Sequence, residues 1–65
     1  PDVAGTLNNL GVLYNELRRF EEAEASYVAA LRIERVSLPA NHPDVAATLN
    51  NLGGLYKELR RFEEA

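Results

Sequence analysis

PDVAGTLNNLGVLYNELRRFEEA, residues 1–23, returns at residues 43–65 as PDVAATLNNLGGLYKELRRFEEA. The offset is 42 residues, and of the 23 paired positions only Gly5/Ala47, Val12/Gly54 and Asn15/Lys57 differ. Self-similarity at a period of roughly 20 to 50 residues marks a solenoid, in which each unit buries its apolar side on a neighbour. The chain reads as about one and a half 42-residue units. Residues 1–42 form a complete helix pair, and 43–65 the first helix and start of the second helix of the next unit. It is expected to be an excerpt from a longer array.

Within a unit the apolar period is helical. Val3, Leu7, Leu10, Tyr14 and Leu17 recur at spacings of 4, 3, 4 and 3, with Ala4 and Gly11 beside them. That is one stripe of an amphipathic helix. A second stripe holds Phe20, Ala23, Tyr27, Ala30, Leu31 and, less regularly, Ile33 and Val36, and the two prolines of Leu38–Pro43 then break the pattern. Asn41 is the expected N-cap of the next helix, with Asp44 three residues on in the capping-box position. The spacing predicts helices at about 2–17, 20–37 and 43–60. No sustained period-2 alternation points to a strand, and the double-proline loop interrupts any coiled-coil seam. The fold class is all-α, as antiparallel helix-turn-helix repeats of an α-solenoid.

Gly11 and Gly53 lie inside the stripe, where glycine costs about 1 kcal/mol relative to alanine. Close helix approach explains it, with Ala23 and Ala30 as small facing surfaces and Tyr14, Phe20 and Tyr27 filling the space around the crossing. The order and spacing of Leu7, Leu10, Gly11, Tyr14, Ala23, Tyr27 and Ala30 resemble the tetratricopeptide signature. The usual unit of that family is about 34 residues. Here it is longer, Arg35 stands where a late proline is common, and Arg18 and Arg60 stand where the turn usually has glycine. The stretch HPDVAATLNNLGGLY, residues 42–56, together with the longer period, resembles the kinesin-light-chain type of this repeat.

The resemblance implies that first helices line a concave groove for extended peptides or partner domains. Asn8, Val12 and Asn15 share the implied face, and Asn50, Gly54 and Lys57 repeat it. Asparagine is a mediocre helix former, whereas its amide donates and accepts at once and suits a peptide backbone. The same asparagines are equally suited to hydrogen bonds between neighbouring first helices.

Little else carries chemistry. With no Cys and a single His, a zinc site has too few ligands, and no cofactor or metal is expected. His42 reads as a loop or cap residue. Thr6, Thr48 and Ser26 have no His within one or two turns, so no triad forms. Glu21-Glu22 and Glu63-Glu64 suit the first turn of a second helix better than catalysis. The Arg18-Arg19 and Arg60-Arg61 pairs read as solvated turns, and no phosphate loop is present. Seven Lys plus Arg against ten Asp plus Glu leave a net charge of −3, unlike a nucleic-acid footprint. No apolar run approaches the roughly 20 residues that cross a bilayer.

The expectation is therefore a non-catalytic protein-interaction scaffold, with neither nucleic acid nor membrane as partner. The alternative is a self-stacking or consensus array without a specific ligand. Solenoid ends need polar caps, so head-to-tail self-association through the uncapped ends is expected. It would use an exposed stripe of Leu49, Leu52, Leu55 and Tyr56. At Arg60 a retained turn is favoured over a helix running straight through to Ala65.

Overall fold

The computed structural model describes residues 2–64. Pro1 and Ala65, and with them the outer bounds of the two units and Ala65 as counterpart of Ala23, lie outside the described residues. Three helices follow one another, α1 (Val3–Glu16), α2 (Phe20–Ser37) and α3 (Pro43–Glu64), with no strand among the described residues. The fold is an all-α, antiparallel helical repeat.

Each helix start has its own chemistry. Asp2 caps α1, its carboxylate accepting from the Ala4 amide at 3.0 Å. His42, rather than the expected Asn41, precedes α3, and its Nδ1 accepts from the Asp44 amide at 3.0 Å. The reason is position: Pro43 already occupies the first helical turn, so the residue directly before it reaches the free amides. Glu21 and Glu22 sit in the first turn of α2, where the helix dipole favours negative charge. That helix ends at Leu38, which is extended because Pro39 follows and bars its predecessor from the helical region.

The α1–α2 turn is a Schellman motif. The amide of Arg19 donates to Tyr14 O at 2.8 Å, and that of Arg18 to Asn15 O at 3.0 Å. Arg18 itself sits at φ 62°, the left-handed position that glycine usually fills. For a residue with a Cβ this costs roughly 1–2 kcal/mol. Return of α2 along α1 offsets that cost. Gly11 is buried against the ring of Tyr27, which lies 2.5 Å from where a Cβ on Gly11 would stand. Ala23 and Ala30 are fully buried on α2. Phe20, Val28, Leu31, Tyr14 and Leu59 pack around a centre of Ala23, Tyr27, Leu52 and Leu55.

Two expectations need correction. First, α3 does not stop at residue 60. It runs through Leu59-Arg60-Arg61 to Glu64, so the retained turn is replaced by the straight-through helix. Leu59, Arg60 and Arg61 are good helix formers with no Gly or Pro among them, so the helix continues through them. The run also places Glu63 and Glu64 at a helix C-terminus instead of a first turn. Arg60 pairs with Glu64 at 3.2 Å and Arg61 with Glu58 at 3.4 Å, while the Phe62 ring rests 5.5 Å from that of Phe20.

Second, the single stripe of α1 divides into two faces. Ala4 and Gly11 are buried and Leu7 and Tyr14 half-buried, whereas Val3, Leu10, Leu13 and Leu17 are exposed. The copy in α3 explains the division. Val45, Leu52 and Leu55, which correspond to Val3, Leu10 and Leu13, are buried beneath α2. A first helix thus carries one face for each of two second helices, and here each first helix has only one covered. Of the four stripe residues expected to be exposed on α3, Leu49 and Tyr56 are exposed, whereas Leu52 and Leu55 are buried. Likewise Gly53, unlike Gly11, has nothing within 4 Å of a would-be Cβ, so close approach accounts for Gly11 alone.

Candidate functional site

The first helices α1 and α3 run side by side and touch little; α2 packs on both from behind. An open groove of about 560 Å³ lies between them. Phe20, Tyr27 and Leu55 line its depth, and Val12, Asn15, Asn50 and Gly54 its walls. These four wall positions fall on the groove because residues three or four apart share a helix face, and the 42-residue repeat presents the same face on α3.

Asn8 and Lys57 sit elsewhere. The Asn8 amide donates to Thr48 Oγ1 at 2.8 Å, and Thr48 donates to Glu34 Oε1 at 2.6 Å. This chain of bonds joins all three helices, with Thr48 and Glu34 both buried. Asn8 is therefore a link between neighbouring first helices, and it faces a separate cleft beside Asp2, Glu34 and Asp44. Lys57 is exposed on α3. Of the residues expected to pack the repeat, Gly11, Ala23, Tyr27 and Ala30 lie in the interior, Leu7 and Tyr14 on its edge, and Leu10 on the outer face of α1.

The polar character of the groove is mixed. Asn15 Oδ1 is shielded from solvent and accepts no hydrogen bond among the described residues. Glu16, Asn51 and Glu58 add acceptors along the same lining, and Arg18 is the one cation among its described residues. Burial raises the Tyr27 pKa above that of an ordinary phenol, and the charge of Glu16 adds to the shift. On the other side of α3, Tyr56 donates to Glu24 Oε2 at 2.6 Å, and that bond is the main reason its pKa is also raised. The surface gains definition from stacking: Arg18 lies over the Phe62 ring at 5.0 Å and Arg19 over Tyr14 at 5.3 Å.

Sequence reasoning missed the Thr48–Glu34 junction. Its signal is faint, a threonine repeated at the same register as Thr6 and a glutamate on the apolar side of α2. Among the described residues no group of three or more His, Asp or Glu side chains stands ready to hold a metal ion. No helix there is long and apolar enough to cross a membrane. The groove thus offers hydrogen-bond acceptors, aromatic depth and shape.

Comparison with known proteins agrees with this geometry. Neither the curated proteins nor the solved structures yielded a match. The family model described as tetratricopeptide repeat matches residues 2–65. With an antiparallel helix pair closed on a buried glycine, and a match over nearly its whole length, the chain belongs to the tetratricopeptide repeat family.

Proposed function

We propose that this chain is a non-catalytic scaffold that binds an extended peptide, or a peptide-like segment of a partner domain, in the groove between α1 and α3. Tetratricopeptide repeats generally mediate protein–protein interactions, which supplies the class. The observation that carries the specific reading is the unpaired, shielded Asn15 Oδ1 in a groove walled by Val12, Asn50 and Gly54. A buried acceptor without a partner is costly, and rotation of the Asn15 side chain into the groove would let a ligand N–H satisfy it. Asn8 lies outside the groove lining and fixes the spacing of the two first helices through Thr48, and Lys57 is exposed on α3 outside that lining. The 42-residue period and the HPDVAATLNNLGGLY stretch support the kinesin-light-chain type of repeat, with residues 1–42 as one unit and 43–65 as the beginning of the next.

The test is a peptide-array screen with the whole chain, followed by titration of a captured peptide. Gly54→Phe, at an exposed position with open space above it, should block the groove and abolish binding while leaving the melt unchanged. Undiminished affinity in that variant removes the groove as the site.

A second reading is end-to-end association through uncovered apolar faces. It is favoured by one observation: the residues exposed on the outer face of α1 are the same residues that α2 covers on α3.

A further inference from the structure

We propose that the peptide held between α1 and α3 carries an arginine, and that its guanidinium is received in the acidic cleft beside Asn8. The proposal rests on the groove as the peptide site and adds the chemistry of one ligand residue.

The cleft continues the groove along the seam between the two first helices. Val12, Asn15 and Glu16 of α1 face Asn50 and Gly54 of α3 across the groove. Gly5, Asn8 and Asn9 of α1, with Asp44 and Ala47 of α3, line the cleft, which has a volume of about 270 Å³. The step along α1 from one to the other is about seven residues, roughly 10 Å, or about three residues of extended chain. A peptide extended in the groove therefore brings a side chain about three residues away over the cleft.

Charge in the cleft is one-sided. Asp2, Glu34 and Asp44 line it together with Asn8 and Asn9, and its described lining holds no Lys, Arg or His. No Lys or Arg pairs with any of these three carboxylates among the described residues. His42 comes within 3.9 Å of Asp44 Oδ2, but its Nδ1 accepts from the Asp44 amide and so has no proton to give. Asp2 and Asp44 stand at the starts of α1 and α3, where the helix dipoles compensate their charge.

Glu34 has no such compensation. It lies in the last turn of α2, where the dipole is itself negative, and it is only 3% exposed. Its Oε1 accepts from Thr48 at 2.6 Å. Its Oε2 accepts no hydrogen bond among the described residues, yet is not sealed from solvent as Asn8 Oδ1 is. A buried carboxylate held by one hydroxyl is costly, and a cation with several N–H donors offsets that cost. Among the described residues the carboxylates do not converge into a group that could hold a metal ion, which favours a larger cation. A guanidinium suits the place better than an ammonium. It is planar and weakly hydrated, and it donates in several directions at once, to Glu34 and to Asp2 and Asp44.

The probes are octapeptide pools with one fixed residue and all other positions mixed, titrated against the whole chain. The fixed residue is arginine, its neutral isostere citrulline, or glutamate. Arginine pools should be held about tenfold more tightly than citrulline pools, and glutamate pools least. In Glu34→Gln, and separately in Asp44→Asn, the arginine pools should fall to the citrulline level. Asp44 is exposed, so its variant keeps the fold, and circular dichroism checks both. Equal capture of arginine and citrulline pools would overturn the proposal, as would an arginine preference that survives in both variants. Gly54→Phe separates this result from the groove reading, because it should weaken arginine and citrulline pools alike. If it does so while the charge variants change nothing, the groove stands and the cleft falls. If the charge variants erase the preference and Gly54→Phe changes nothing, the cleft stands and the groove falls.

Discussion

Residues 16–22 and 58–64 have the same sequence, ELRRFEE, and different structures. In the first, helix α1 ends at Glu16, Arg18 turns to φ 62° and a new helix begins at Phe20. In the second, a single helix runs through Arg60 and Arg61 to Glu64. The ion pairs follow the backbone. Arg19 closes on Glu22 at 2.6 Å, whereas its counterpart Arg61 reaches back to Glu58 and leaves Glu64 to Arg60. Local sequence therefore permits both states, and packing decides between them. Where eighteen residues of α2 return to bury Ala23, Tyr27 and Ala30, the strained arginine is tolerated. Along the described residues of α3, intrinsic helix preference prevails.

The same comparison extends to side chains, because each position on α1 has a partner on α3 in different surroundings. The largest contrast is expected at the glycines. Gly11→Leu drives a side chain into the Tyr27 ring and should destabilise the fold by about 1–3 kcal/mol or more. Gly53→Leu enters open space and removes a mid-helix glycine, so it should stabilise α3 by up to about 1 kcal/mol. Urea melts of the two variants should move in opposite directions. Movement in one direction would show that the crossing at Gly11 is looser than the structure has it.

A smaller effect is expected at the threonines. Thr48→Val keeps the shape but strands the buried Glu34 carboxylate and the Asn8 amide, at a cost of about 1–3 kcal/mol. Thr6→Val removes only an exposed bond within α1 and should fall within about 0.5 kcal/mol. Similar losses at both positions would mean that the three-helix junction contributes nothing of its own.

The repeat, the helix count and the glycine crossing at Gly11 are visible in the residues because each is periodic or tied to a steric exception. What the residues hide is occupancy. Leu10 and Leu52 are indistinguishable in sequence, since both lie on an apolar stripe, and only the presence of α2 over one of them separates buried from exposed. The end of α3 is hidden for the same reason. The groove was partly legible: Val12, Asn15, Asn50 and Gly54 share a face by helical spacing, and they line one groove. Asn8 belongs to the same face by spacing, yet one hydrogen bond to Thr48 draws it into a neighbouring cleft. A bond between residues 40 apart leaves no periodic trace.

The finest test of the opening contrast changes both turn arginines to glycine. Arg18→Gly removes the Cβ from a left-handed residue, so the folded state loses roughly 1–2 kcal/mol of strain. Glycine also loosens the unfolded chain, which takes back part of that gain. The net should be a stabilisation of about 0.5–1 kcal/mol and a higher melting midpoint. Arg60→Gly acts with the reverse sign. It places the same residue inside a helix, where it costs about 1 kcal/mol, and it removes the pair to Glu64, which is exposed and contributes little. That loss is confined to the last turns of α3, so it should appear as lower helical ellipticity and faster amide exchange beyond residue 59, with little change in the global midpoint. If Arg18→Gly left stability unchanged, the left-handed arginine would carry no strain. The difference between the two copies would then rest on the packing of α2 alone.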